Sequence, residues 1–178
     1  KQEGKRDKGD PKHRQGSPNL RLPAIFRKLP APTLHWKASF LRVMDTSTVT
    51  YLGGLRTEAV HVRSGVKITT DAPVDNHGRG EAFSPTDLMS ISLACCMMTL
   101  MGIAAEKKGI ALNGLKAAVV KKMSEAPRKV ECIEICFEMD GSGLGDRERT
   151  ILERVARTCP VALSLSPQLE QQLSFTYR

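Results

Sequence analysis

Between Ser84 and Gly109 the chain carries the segment that most restricts its fold. Ser84-Pro85-Thr86-Asp87 reads as a helix start. A serine side chain accepts from an unpaired backbone N–H, proline is tolerated at the first helical position, and the acid suits the positive end of the helix. Gly109 reads as the stop, with Lys107 and Lys108 complementing the C-terminal end. The spacing predicts a helix running to about Lys108. Its apolar residues Leu88, Met89, Ile91, Leu93, Met97, Met98, Leu100, Met101 and Ile103 cover the full circumference. Such a helix is expected to be buried on all sides, by its own sheet and by a second subunit. Leu88 to Ala105 holds no charge, and at 1.5 Å per residue it reaches only ~27 Å. The run contains Ser90, Ser92, Thr99, Gly102 and two cysteines, and its flanks alternate like water-facing strands. A buried core helix is favoured over a membrane span.

Strands surround this helix. Val49 and Tyr51 begin the first, and Gly53-Gly54 breaks it. Arg56–Arg63 alternates, Ser64-Gly65 turns, and Val66–Thr70 follows as a short strand. Residues 71–83, rich in Asp, Pro, Asn and Gly, read as a loop. After the helix, Leu115, Ala117 and Val119 mark a strand, Glu125-Ala126-Pro127-Arg128 a turn, and Ile133, Ile135, Phe137 and Met139 one face of another strand. Asp146 is expected to cap a second helix, in which Ile151, Leu152, Val155 and Ala156 repeat at helical spacing. It should end near Cys159, because Pro160 disfavours helix at the residue before it. Leu173, Phe175 and Tyr177 make a last strand. The order of elements reads as α+β.

The net charge of +8 sits at one end. Residues 1–43 hold eleven Lys/Arg against three acids, while the sixteen basic and sixteen acidic residues of 44–178 cancel. Five of the ten prolines fall within residues 1–35, and apolar residues follow no period there. Residues 1–43 are therefore expected to be a disordered or appended leader, and 44–178 the folded domain. With no apolar core of a secretory signal in the leader, a cytoplasmic location is expected. Phe26 and Trp36 are isolated, so no aromatic interleaving accompanies the basic run, and nucleic acid is not the expected partner.

Five cysteines form an odd set, which argues against a disulfide framework. No Cys-x-x-Cys or paired-histidine spacing suggests a metal. Cys132 and Cys136 read as small strand residues, too far apart along a strand to share a zinc ion. Cys95 and Cys96 point about 100° apart on a helix and should not bond to each other. Pattern alone does not choose between them, and core packing is an equal alternative for both. Cys159, before a proline, is less forced by packing. His61 reads as a solvent-facing strand residue and His77 as a loop histidine with no partner at motif spacing.

Ser84-Pro85-Thr86-Asp87-Leu88, Leu93-Ala94-Cys95-Cys96-Met97, Lys108-Gly109 and Arg157-Thr158-Cys159-Pro160-Val161 together resemble the OsmC/Ohr family of osmotically inducible and organic-hydroperoxide-resistance proteins. The resemblance runs from about Thr50 to Tyr177, on its OsmC-like branch. It implies antiparallel sheets around a long buried central helix, an intertwined homodimer, and thiol-dependent reduction of organic hydroperoxides at the subunit interface. Cys96, eleven residues after the helix proline, takes the position of the peroxidatic cysteine, and Cys159 that of the resolving one. Arg56 best matches the family arginine, with Arg63 and Arg79 as alternatives. The family glutamate that follows the helix proline, and orients that arginine, is replaced by Thr86. Asp87, Glu58 and Glu81 are the acids within reach by sequence.

The chemistry fits these residue types. A thiolate attacks a peroxide, burial opposes the thiolate, and an arginine stays charged beside it. The implied cycle is a Cys96 sulfenic acid, a disulfide with Cys159, and reduction by an external dithiol such as dihydrolipoamide, with no bound cofactor and no metal. The small organic hydroperoxide and the dithiol are then the partners besides a second copy; no membrane is expected. The alternative is a non-catalytic protein of the same fold that binds an apolar ligand or acts as a redox-sensitive dimer.

Overall fold

The computed structural model describes residues 45–178. The expected leader, residues 1–43, and the boundary at Met44 lie outside the described residues. Three strands come first: β1 (Ser47–Gly53), β2 (Arg56–His61) and β3 (Lys67–Asp71). They form one antiparallel sheet in the order β1-β2-β3. A loop containing one 3-10 turn, Val74–Asn76, leads to the long helix α1 (Pro85–Lys108). Then follow β4 (Lys116–Ser124), β5 (Lys129–Met139), α2 (Asp146–Arg157), α3 (Pro160–Ser164) and β6 (Glu170–Tyr177). The second sheet has the order β4-β5-β6.

That second sheet departs from the expectation of antiparallel sheets throughout. β5 and β6 are parallel, because α2 and α3 carry the chain back to the end where β5 began. Two further details differ. Gly145, not Asp146, is the N-cap of α2, and Asp146 is its first residue, where its charge complements the helix dipole. The short α3 was not anticipated, although Pro160 at its first position is a start signal as much as a stop.

Local chemistry accounts for α1. The Ser84 side chain accepts from the Asp87 N–H at 3.1 Å, and the Asp87 carboxylate accepts from the Ser84 N–H at 2.7 Å, a complete capping box. At the other end Gly109 adopts φ +64°, which a Cβ would disfavour, and the Ile110 N–H closes onto Ala105 O at 2.9 Å.

Within the chain α1 is buried on one side, not on all. Ser90, Leu93, Ala94, Met97, Met101 and Ala105 are covered, while Ser92, Cys95, Thr99 and Ile103 are exposed. The covered face packs with Ile133, Ile135, Phe137 and Met139 of β5 and with Leu152 and Ala156 of α2 in one core. Phe137 also stacks on Phe175 of β6 at 5.0 Å between ring centroids. Each fully buried Leu, Ile, Met or Phe contributes about 1.5–3 kcal/mol by removal from water, before the entropy of ordering it. By length and a mean hydropathy of 2.0, α1 is apolar enough to cross a membrane, but its covered face belongs to this core.

Candidate functional site

Two of the five cysteines meet. Cys96 lies half-buried on α1, eleven residues beyond Pro85, and Cys159 is fully buried at the start of α3. They come together because α2 packs along α1 and ends at Thr158, and Pro160 then starts a new helix from the buried end. As N-cap of α3, Cys159 accepts a hydrogen bond on Sγ from the Ala162 N–H at 3.3 Å. Burial pushes the Cys159 thiol above its ordinary value; the Ala162 N–H opposes that shift, and the neighbouring Cys96 side chain adds to it. Cys159 is therefore held toward its protonated form. Both thiols are free.

The other cysteines stand apart. Cys95 faces outward from α1, and its carbonyl accepts from the Thr99 hydroxyl at 2.8 Å. Cys132 and Cys136 are on β5. Pairing of Lys122 with Cys132 and of Met123 with Val130 leaves Glu131 as an extra residue, so Cys132 lies on the face away from Ile133. Burial, with Glu170 and Glu134 nearby, pushes the Cys132 thiol up.

Arg56 forms a second cluster, joined to neither cysteine by any hydrogen bond or ion pair among the described residues. The turn Gly53-Gly54-Leu55 delivers it with three successive positive φ angles, +85°, +58° and +63°. The last belongs to a leucine, a strained conformation held in part by the Leu55 N–H donating to the Tyr51 hydroxyl at 3.2 Å. Arg56 Nε and Nη2 then fork onto the two oxygens of Asp71, at 2.6 and 2.7 Å. Nη2 also reaches Glu81 Oε2 at 2.7 Å. Asp71 is 2% exposed, and its carboxylate additionally accepts the Glu81 N–H at 3.1 Å. The Arg56 guanidinium holds the Asp71 carboxyl below the usual carboxylate range. The loop that returns Glu81 to this place closes tightly on itself. A Cβ at Gly78 would lie 1.7 Å from Ala72 O, so only glycine fits there.

Of the alternative residues, Arg79 is exposed and close enough to favour the Asp71 charge, and Arg63 is exposed on the turn after β2. Glu58 pairs with Lys67 at 3.1 Å. His61 Nδ1 shares a hydrogen bond with Ser64 Oγ at 2.7 Å, and His77 stands exposed in its loop. Thr86, where the glutamate was expected, is engaged elsewhere: Lys121 Nζ from β4 donates to Thr86 Oγ1 at 2.7 Å and to Ser84 Oγ at 2.9 Å, and pairs with Asp87 at 2.6 Å.

Sequence reasoning missed Asp71 and Lys121, and both had a signal. The hairpin that turns through Val62–Gly65 sets Arg56 opposite Asp71. Lys121 follows Ala117 and Val119 at period two, which marks a lysine on the inward face of a strand. A cleft of about 380 Å³ is lined by Tyr51, Leu55, Asp71, Pro85, Thr86 and Met123 among others; Arg56, Lys121 and the cysteines do not line it. No cluster of His, Cys, Asp and Glu among the described residues could hold a metal ion.

The family model for OsmC-like proteins matches residues 78–174. A crystal structure described as that of an osmotic stress induced and detoxification response protein from Psychrobacter arcticus is 46% identical, covering 76% of this chain and 98% of its own, with a TM-score of 0.71. An OsmC-like protein from Mycoplasma pneumoniae shares the fold at 22% identity, covering 74% of this chain and 94% of its own, with a TM-score of 0.63. An organic hydroperoxide resistance protein from Legionella pneumophila does so at 17% identity, covering 76% and 99%, with a TM-score of 0.58. No curated protein matches the chain.

Proposed function

Because this chain belongs to the OsmC-like family, we propose that it reduces organic hydroperoxides, with Cys96 as the attacking sulfur, Cys159 as the resolving one and Arg56 as the cation that assists. The observation that carries the reading is the adjacency of Cys96 and Cys159, drawn from two elements 63 positions apart and close enough that Cys96 pushes the Cys159 thiol up. The Cys96 thiolate attacks the terminal oxygen of ROOH. The O–O bond breaks, alkoxide leaves and takes a proton as ROH, and Cys96 becomes a sulfenic acid. The Cys159 thiol, deprotonated, then attacks the Cys96 sulfur. The S–O bond breaks, hydroxide leaves as water, and a disulfide remains. An external dithiol of the dihydrolipoamide kind supplies two electrons and two protons to restore both thiols.

A second copy of the chain completes the site in this reading. Arg56 stands on a sheet whose Val49, Tyr51 and Ile68 are 65%, 63% and 45% exposed, and the free face of α1 presents Ile103. That much uncovered apolar surface on two elements supports a homodimer in which α1 becomes central. The arginine of one copy then serves the cysteines of the other.

Consumption of cumene hydroperoxide with dihydrolipoamide tests the reading on the parent, Cys96→Ser and Cys159→Ser. Turnover by the parent, none by Cys96→Ser, and a trapped sulfenic acid in Cys159→Ser are expected. Turnover that survives Cys96→Ser overturns it.

A further inference from the structure

We propose that Asp71 is the residue that orients the Arg56 guanidinium for the reaction, with Glu81 as a weaker, solvent-facing second acid. The proposal rests on the functional reading above and assigns the positioning of its arginine. Three observations lead to it. The two oxygens of Asp71 take Nε and Nη2 as a two-point fork, which fixes the guanidinium in both position and rotation. Asp71 is itself held: it is 2% exposed, it accepts the Glu81 N–H at 3.1 Å, and the neighbouring Thr70 hydroxyl is tied to Thr57 at 2.6 Å. The fork also leaves Nη1 without a partner among the described residues, so its two N–H bonds remain for a thiolate or a peroxide oxygen.

The other acids are committed or exposed. Asp87 closes the capping box and pairs with Lys121, and Glu58 pairs with Lys67. Glu81 reaches the guanidinium from a side chain 59% exposed, where solvent screens the pair. Thr86 brings no charge, and its hydroxyl accepts from Lys121. The orienting acid therefore comes from the strand opposite the arginine and not from the helix.

Asp71 acts through Arg56, so the test is a double-mutant cycle in a Cys95→Ser background, which leaves Cys96 as the α1 thiol that alkylates. Asp71→Asn keeps the shape and removes the charge; displacement of the guanidinium should lower kcat/KM for cumene hydroperoxide about 100-fold. In the presence of Arg56→Ala the same substitution should change kcat/KM less than about threefold, and Glu81→Gln alone no more than about fivefold. The pH midpoint of Cys96 alkylation should rise in Arg56→Ala and rise likewise in Asp71→Asn. Simple removal of a negative charge would lower that midpoint instead. Thermal melting reports whether each variant folds. Should Asp71→Asn not fold, Asp71→Glu carries the test: one added methylene moves the guanidinium while keeping the charge, and at least a tenfold loss is expected.

Equal losses with and without Arg56, an alkylation midpoint that stays or falls in Asp71→Asn, or undiminished kcat/KM in folded Asp71→Glu overturns the assignment. Activity that survives Cys96→Ser would strike the thiol chemistry itself and leave the alkylation readout standing. An alkylation midpoint indifferent to Arg56→Ala removes the arginine from the reaction, and Asp71 with it.

Discussion

In the proposed cycle, closure of the Cys96–Cys159 disulfide should depend steeply on pH, because Cys159 is buried and its thiol pKa is pushed up. The shift is upward from an ordinary value of 9.0, with burial as its first cause. Once Cys96 has become a sulfenic acid it no longer opposes a second negative charge, but the desolvation of Cys159 is unchanged, so the elevated pKa outlasts the first chemical step. The sign follows directly. A raised thiol pKa means less thiolate at any pH below it, so at pH 7 fewer than about one Cys159 in a hundred is ionised. Each further pH unit then brings about ten times more nucleophile, and closure should accelerate about 100-fold between pH 6 and pH 8. The Ala162 N–H softens the shift without reversing it. Oxidation of the full chain with one equivalent of cumene hydroperoxide, quenching with dimedone at timed intervals and intact-mass analysis separates the sulfenic acid from the disulfide. The expected logarithmic rate climbs with unit slope to at least pH 9. A rate flat between pH 6 and pH 8, or a plateau reached near pH 7, would refute the reasoning, as would a disulfide mapped to any other pair.

Three further outcomes follow from the packing and the charges. Met97 is fully buried in the core, so Met97→Ala should lower the unfolding free energy by about 2–5 kcal/mol in urea, and a loss below about 1 kcal/mol would contradict the packing. Ile103→Glu places a charge on the uncovered face of α1 at a residue 42% exposed, so it should dissociate the proposed homodimer to single chains by light scattering while leaving the helical signal intact. Asp71 is held below 3.8 by Arg56, and Asp87 is also below it because Lys121 and Ser84 outweigh the upward push of burial. A depressed carboxyl pKa adds stability above the unfolded value and loses it as pH falls through the folded one. The urea midpoint should therefore hold from pH 7 to pH 5 and drop below about pH 4, less steeply in Asp87→Asn.

Much of the fold was legible because its signals are local. Ser84, Pro85 and Gly109 specify the ends of α1 whatever surrounds it, and the inward face of β5 can be read from Ile133, Ile135, Phe137 and Met139 alone. The direction of β6 was not legible: strand pairing depends on where the crossover through α2 and α3 returns the chain. The short α3 hid behind Pro160, which terminates one helix and opens another with equal propriety.

Of the candidate site, pattern alone left Cys95 and Cys96 equal; the resemblance of the capped helix and the Cys-Pro corner to the OsmC/Ohr family singled out Cys96 and Cys159. Their meeting is a tertiary fact, produced by the packing of α2 on α1. Of the acids expected within reach of Arg56, Asp87, Glu58 and Glu81, the fold brings only Glu81 to it, and adds Asp71 from β3, which the sequence reading did not name. A carboxylate can be supplied by any element that hairpin register or loop closure brings within 3 Å, and neither leaves a short-range mark in the chain. Local chemistry thus determined the elements and the reactive atoms; only the three-dimensional packing decided which charges and thiols share a neighbourhood, since contacts between distant residues depend on the path of the whole backbone.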